Sequence, residues 1–426
     1  MSILYIFSIS LCLIFITSPT VITAITVVLA LSFVRMNGVL NKQYWIVYGM
    51  MIVSSVLVFN FNLSFIEIVY LAKPFTLTIM MILCVTLISS LVNSNGLLQL
   101  YRIFSNIFKS KNSNDIMMYS SVLTSPFLNM ATPVIYGEMF QNSVGIDSSA
   151  AAKNVKRGMM AAMLIAPTFA PIALVIGSHP DIRWFDTIIY SLPLVAITML
   201  YFVLTENDST DKVQVDDTVK IKSGVIWVFI YFVTLMCFML LFMFNVVNSI
   251  ILSAISTILL ALIYDNRNNT LLISANEKSK NTFYKINGEA LIFISSGILL
   301  LSISSVTSNE YQVFKFVQNL EDVFVIPFIL LVLPLFSLFK LHPIIGFTLF
   351  QPIVYVCNDL NELQKYILWV CYWVMSLQIS PISVINITTS NAFDISSKLL
   401  TSLSDFFNVY ILGLLYCLFI LFYGEV

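Results

Sequence analysis

Two apolar runs, each long enough to cross a bilayer, carry a proline in their interior: Ala166-Pro167 in the first half of the chain and Ser380-Pro381 in the second. Proline has no N–H to give to a helix, and its ring collides with the carbonyl one turn back. In hydrocarbon the groups freed at such a break need protein or a wet cavity around them, so these runs constrain everything packed against them. The two marks lie 214 residues apart in a chain of 426. Ile88-Ser89-Ser90 running to Ser94-Asn95 returns as Ile303-Ser304-Ser305 running to Ser308-Asn309, and Ser125-Pro126 with Pro133 is echoed by His342-Pro343 with Pro352. Offsets of 214 to 219 residues describe one membrane unit written twice. Paired, proline-interrupted apolar segments in matching halves point to the binding site of a secondary transporter.

Composition narrows the class. With 59% hydrophobic and 10% charged residues and a mean hydropathy of +0.93, the chain cannot cover itself with a water-soluble surface. The net charge of −1 is uninformative by itself, and no basic domain suggests a nucleic-acid partner, so none is expected. Cys12, Cys84, Cys237, Cys357, Cys371 and Cys417 form no CxxC pair and read as reduced core residues.

Residues 2 to 17 lack a basic leader and a cleavage site, so they are expected to be a retained first helix. Further spans fall at 20–35, 44–60, 73–95, 158–178, 185–204, 223–245, 248–264, 288–307, 367–390 and 403–423, eleven in all. Two apolar segments fit no single span: 116–140, rich in polar residues and prolines, and 323–356, with Lys340, His342 and Pro343 at its middle. Each is expected to be a re-entrant helical hairpin.

Charge supports that topology. With a cytoplasmic N-terminus, sixteen basic residues fall inside and four, Lys73, Arg183, Lys315 and Lys365, outside; a crossing at 116–140 would move Lys153, Lys156 and Arg157 to the wrong side. The expected fold is an all-α polytopic membrane protein of about eleven helices and two hairpins. Residues 1–18 form an extra N-terminal helix. Residues 20–204 form a first repeat with a cytoplasm-facing hairpin, 205–222 a cytoplasmic linker, and 223–426 an inverted second repeat with an outward-facing hairpin and an outside C-terminus.

A broken helix offers open N–H groups at one new end and open C=O groups at the other, an anion seat and a cation seat from one break. Pro126, Pro167, Pro343 and Pro381 would hold such breaks open, with Pro171 widening the first broken helix. Thr124, Ser125, Asn129, Thr132, Thr168, Ser380, Ser383, Asn386 and Thr388 supply hydroxyls and amides beside them. Small polar side chains of this kind also bond backbone across packed helices. His342 at the second tip is either a titrating group or a helix cap before Pro343. Glu138 and Glu289 sit near cytoplasmic ends and are expected to snorkel. Trp45, Trp184 and Trp227 are expected to act as interface anchors.

The segments SPFLNMATP, GMMAAMLIAPTFAP, LHPIIGFTLFQP and SLQISPISVINITTSN carry a resemblance. In architecture the chain resembles the ion transporter superfamily, which includes divalent anion:sodium symporters, the arsenite pump subunit and the membrane subunits of tripartite dicarboxylate transporters. Ser125-Pro126 and His342-Pro343 stand where the dicarboxylate and citrate symporters carry Ser-Asn-Thr. The resemblance implies substrate and coupling-ion binding at hairpin tips and unwound helices, and a homodimer joined through the scaffold. The expected function is secondary active transport of a small, inorganic or organic anion coupled to Na+ or H+, with no cofactor. The expected location is a bacterial inner membrane, with the lipid bilayer as the other partner. The alternatives are a membrane polysaccharide polymerase or glycosyltransferase, whose large basic outer loop has no counterpart in these short loops, and a passive channel on the same scaffold. The chain shows no catalytic set, metal-ligand spacing or phosphate-cradling loop, so it is not read as an enzyme.

Overall fold

The structure is a computed structural model that describes residues 3–36, 42–60, 64–88, 91, 113–129, 131–141, 147–179, 182, 184–205, 224–264, 290–304, 321–339, 341–355, 360–381 and 383–423. Lys340, Glu289, Cys357, the linker beyond Thr205 and most of the repeated Ser-Ser to Ser-Asn marks lie outside the described residues. The described chain is helical throughout, as the apolar runs require.

Three helices open the chain at Ile3–Phe15, Pro19–Met36 and Lys42–Asn60, close to the expected spans. The next begins earlier than residue 73. Phe65–Leu71, started by the Ser64 side chain accepting from the Glu67 N–H, runs with a turn at Ala72 into Lys73–Ile88. Glu67 falls in its first turn, where a carboxylate favours a helix start. Later helices at Trp184–Thr205, Gly224–Leu240, Val246–Tyr264, Ala290–Ser304 and Leu403–Tyr423 match their expected spans within a few residues.

The segment at 113–141 is two helices, Ser113–Leu128 and Ala131–Gln141, joined at Asn129. The Thr124 and Tyr136 hydroxyls lie 3.3 Å apart, which twelve residues of continuous helix, about 18 Å long, would forbid. The chain therefore doubles back. The segment at 322–355 does the same. A helix broken by a π turn, Asp322–Pro327, Phe328–Val332 and Leu335–Leu338, returns as Pro343–Tyr355, and the Phe328 and Phe350 rings meet at a tilt, 5.3 Å apart, across the turn. Pro327 and Pro334 flank the π turn, where lost N–H donors loosen the ladder.

After each hairpin comes a helix in two pieces. Ser148–Met163 and Ala170–Ser178 are separated at 164–169, and Glu362–Ile379 and Val384–Phe393 at 380–383. Corresponding pieces begin 214 residues apart in both cases. The first broken helix starts at Ser148 rather than 158, capped by Asp147 on the Ser149 N–H at 2.8 Å. Its opening turns, SSAAAKNVKR, are polar enough to read as a loop, yet Ala151, Ala152, Asn154, Val155 and Lys156 are all buried. The first hairpin packs along this helix, while Lys156 is covered by the Gln378 and Leu400 turns. A Cβ on Gly158 would stand 1.8 Å from Ser121 Oγ and 2.4 Å from the Met118 carbonyl, so only glycine permits this approach.

The second broken helix begins with a reciprocal capping box between Asn361 and Gln364, and every residue from Gln364 to Ile379 is buried. A helix buried on all sides belongs at the centre. Around it, Leu31, Ile52, Ile189, Leu204, Phe229, Ile263 and Phe422 face outward, an apolar belt fitted to lipid rather than water. Four described helices are long and apolar enough to cross a membrane. Trp227, expected to anchor at an interface, is instead buried and meets the Tyr264 ring at 6.0 Å. Cys84, Cys371 and Cys417 are buried free thiols, as expected of core cysteines.

Candidate functional site

The first break forms because Pro167 has no N–H and the ladder fails just before it. The Leu164 and Ile165 N–H groups turn tightly onto Ala161 and Ala162, each at 3.2 Å, and the helix resumes at Ala170. Phe169 caps the new start without a side-chain bond, leaving the N-terminal N–H groups of Ala170–Ser178 facing the break. On the carbonyl side, Trp184 Nε1 donates to the Ile165 oxygen at 2.8 Å and Asn129 Nδ2 to the Thr168 oxygen at 2.8 Å. Trp184 is thus a partner of the break as well as a surface ring.

Asn129 sits at the tip of the first hairpin with φ 49°, a left-handed conformation that asparagine tolerates better than most residues. Its bond to Thr168 brings the hairpin tip onto the first break. Asn129 Oδ1, Thr132 Oγ1 and Thr168 Oγ1 are buried without a hydrogen-bond partner among the described residues. Three buried oxygens left open at one place are costly unless something binds there. Thr124 and Ser125 differ from them. Thr124 Oγ1 donates to the Ser120 carbonyl at 2.9 Å and Ser125 Oγ to the Ser121 carbonyl, the backbone-bonding role that small hydroxyls take inside helices. Pro126 lies within the first arm and withholds one N–H from it.

At the second break Ser383 caps the Val384–Phe393 piece by accepting from the Asn386 N–H at 3.2 Å. Asn386 then gathers the freed carbonyls: its Nδ2 lies 3.3 Å from the Leu377 oxygen, 3.2 Å from Gln378 and 2.8 Å from Ser380. Its Oδ1, with Ser380 Oγ and Gln378 Nε2, remains buried and open among the described residues. Pro381 follows at the turn, and Thr388 is partly exposed on the second piece.

The first hairpin also packs on the second broken helix. A Cβ on Gly137, in its returning arm, would stand 2.3 Å from the Ala392 carbonyl of the second broken helix. The tip of the second hairpin packs on the second broken helix. The Pro343 carbonyl accepts from Tyr372 at 2.8 Å, and the His342 ring stands edge-on to Phe293 and Trp373, at 6.1 and 6.3 Å. Those contacts lie seven and eight residues before Ser380, so this tip meets the second broken helix about two turns short of its break. His342 Nδ1 accepts from the Ile344 N–H at 3.2 Å, which is the capping role. Glu138 is exposed, in keeping with snorkelling.

Sequence reasoning missed Lys156. It was counted as a cytoplasmic charge, but it is 5% exposed and its Nζ donates to the Gln378 carbonyl at 2.9 Å and to the Leu400 carbonyl at 2.5 Å. The signal was present in its neighbours. Ala152 and Met160, one turn either side, mark the buried face on which Lys156 falls.

Beyond the apolar runs, His179 at the end of the first broken helix meets Glu362 at the start of the second, Nδ1 to Oε2 at 3.0 Å, and Lys365 holds the other carboxylate oxygen at 3.0 Å. Burial pushes the His179 pKa below its ordinary value against the pull of Glu362. Glu362 is held below the carboxylate range: burial opposes its charge, but bonds from Lys365 and His179 outweigh it. Lys365, expected in an outer loop, is buried here.

No family model and no curated protein matches the chain. Among solved structures it is similar to the YdaH transporter of Alcanivorax borkumensis, whose structure is described as having an unusual topology. The match has a TM-score of 0.55 and 12% identity over 83% of this chain and 87% of that one. The helical fold is therefore that of a membrane transporter structure, at an identity that speaks for the fold alone.

Proposed function

We propose that this protein is a secondary active transporter that carries a small anionic solute by alternating access, coupled to Na+ or H+. The observation that carries the reading is the pair of helices broken in the packed interior, with open oxygens of Asn129, Thr132 and Thr168 at one break and of Ser380 and Asn386 at the other. A soluble-protein core has no use for such groups, whereas a binding site at mid-depth in a bilayer is built from them. The uncapped start of Ala170–Ser178 and the Ser383-capped start of Val384–Phe393 give positive dipole ends suited to an anion. Hairpin, broken helix and closing helix recur in that order in both halves, and this supports two inverted repeats, 20–204 and 223–426. In this reading the hairpins are re-entrant from opposite sides, the N-terminus is cytoplasmic and the C-terminus outside, in a bacterial inner membrane. The hairpins and broken helices move against a scaffold of the remaining helices, through which two copies pair. No enzymatic step and no cofactor enters the cycle.

The test is uptake into proteoliposomes from a panel of small carboxylates, oxyanions and neutral solutes, with imposed sodium or proton gradients. Accumulation of one anion above its equilibrium level, driven by one gradient, is expected. Equilibration that never exceeds the outside concentration would make the protein a channel.

A further inference from the structure

The two breaks are not equivalent. Both have open side-chain oxygens, but at the second the carbonyl end of the first helix piece already holds the ammonium of a lysine of the protein. Lys156 projects from the first broken helix onto the Gln378 carbonyl, in the last turn of Glu362–Ile379, and onto the Leu400 carbonyl, which ends Ser397–Leu400. Helix C-termini are the negative ends of their dipoles, and carbonyls left open there are cation ligands. No carboxylate pairs directly with this ammonium among the described residues. Asp405, which lines the same cleft, pairs with Lys153 at 3.2 Å and accepts from Ser402. Arg157, on the same helix, adds a like charge and lies over the Phe202 ring at 5.0 Å. Two backbone oxygens hold Lys156 Nζ, as they would hold a bound small cation. Lys153, Arg157, Gln378 and Asp405 line the same cleft, which gives the seat a path to the outside of the fold.

We propose that the Lys156 ammonium is a tethered cation filling a carbonyl seat at the second break, a seat that would otherwise take a small monovalent cation. A coupling ion is then left with the side-chain oxygens, those of Asn129, Thr132 and Thr168 at the first break or of Ser380 and Asn386 at the second, and not with the Gln378 carbonyl. That consequence rests on the transport reading; the occupancy of the seat does not.

The test uses the full chain purified in detergent, with melting followed in choline chloride and after addition of methylammonium or sodium chloride. In choline, Lys156→Ala melts below wild type. Methylammonium and sodium raise its melting temperature saturably, by a shift several-fold larger than either gives wild type or Lys156→Arg. The proposal is overturned if Lys156→Ala melts with wild type, if neither cation restores it, or if wild type and Lys156→Arg respond as strongly. Lys156→Gln carries the same arms should the alanine variant not fold. Should neither neutral variant fold in choline, recovery of folded protein on purification in methylammonium supports the seat, and its failure refutes it. Uptake is measured separately, so an inactive but cation-restored protein would count against transport and not against the seat.

Discussion

Asn129 joins the first hairpin to the first break through one bond and one unusual backbone angle, and two substitutions separate those contributions. Asn129→Ala and Asn129→Gly both delete the 2.8 Å bond to the Thr168 carbonyl, an acceptor in the protein interior. Losing a partner at a buried polar group costs about 1–3 kcal/mol. At φ 49° a Cβ adds a further cost of about 1–2 kcal/mol, which glycine escapes. Glycine gives back about 0.5–1 kcal/mol through a looser unfolded chain, so it should exceed alanine by about 1 kcal/mol, with both below asparagine. Unfolding in mixed micelles by SDS titration, followed by tryptophan fluorescence, reads the order directly. Alanine equal to or above glycine would refute the left-handed turn. Either variant matching wild type would show that the bond to Thr168 does not hold the tip.

Gly158→Ala places a methyl 1.8 Å from Ser121 Oγ and 2.4 Å from a backbone oxygen, so overpacking should cost about 1–3 kcal/mol or more in the same titration, while Gly49→Ala, with nothing within 4 Å, should be near neutral. His179 yields a pH dependence whose sign follows from its lowered pKa: below the unfolded value of 6.5 the unfolded chain takes up a proton that the folded chain refuses, so stability falls as pH drops through 6.5. Glu362 adds stability that persists above 4.5 and is lost only as pH falls through its own lowered pKa. Melting temperature should therefore decline between pH 7.5 and 5.5, and His179→Gln should flatten that slope; an unchanged slope would remove His179 from the account. Pro167→Ala and Pro381→Ala should let helical bonds re-form across the breaks, lowering uptake far more than protein abundance, and full uptake in both variants would reduce these prolines to kinks.

The spans and the breaks were legible because both rest on local chemistry. An apolar run of bilayer length must be a helix wherever it is placed, and a proline within it removes an N–H whatever surrounds it, so the interruptions at 164–169 and 380–383 appear where Pro167 and Pro381 predict them. Asn129 and Asn386 were readable as site candidates for a related reason: amides beside a break have freed carbonyls within reach. Other assignments turn on which chain segment lies a few ångströms away. Ser125 and Thr168 look alike in sequence, yet one hydroxyl spends its proton on its own helix and the other is left open, because only the second faces the seam between hairpin and break. The turns at 148–157 are too polar to be recognised as buried helix, and it is packing against distant segments, the first hairpin at Gly158 among them, that covers them. Lys156 is the extreme case. By itself a lysine belongs in water, and two helix ends, 222 and 244 residues further along the chain, bring the carbonyls that hold its charge inside.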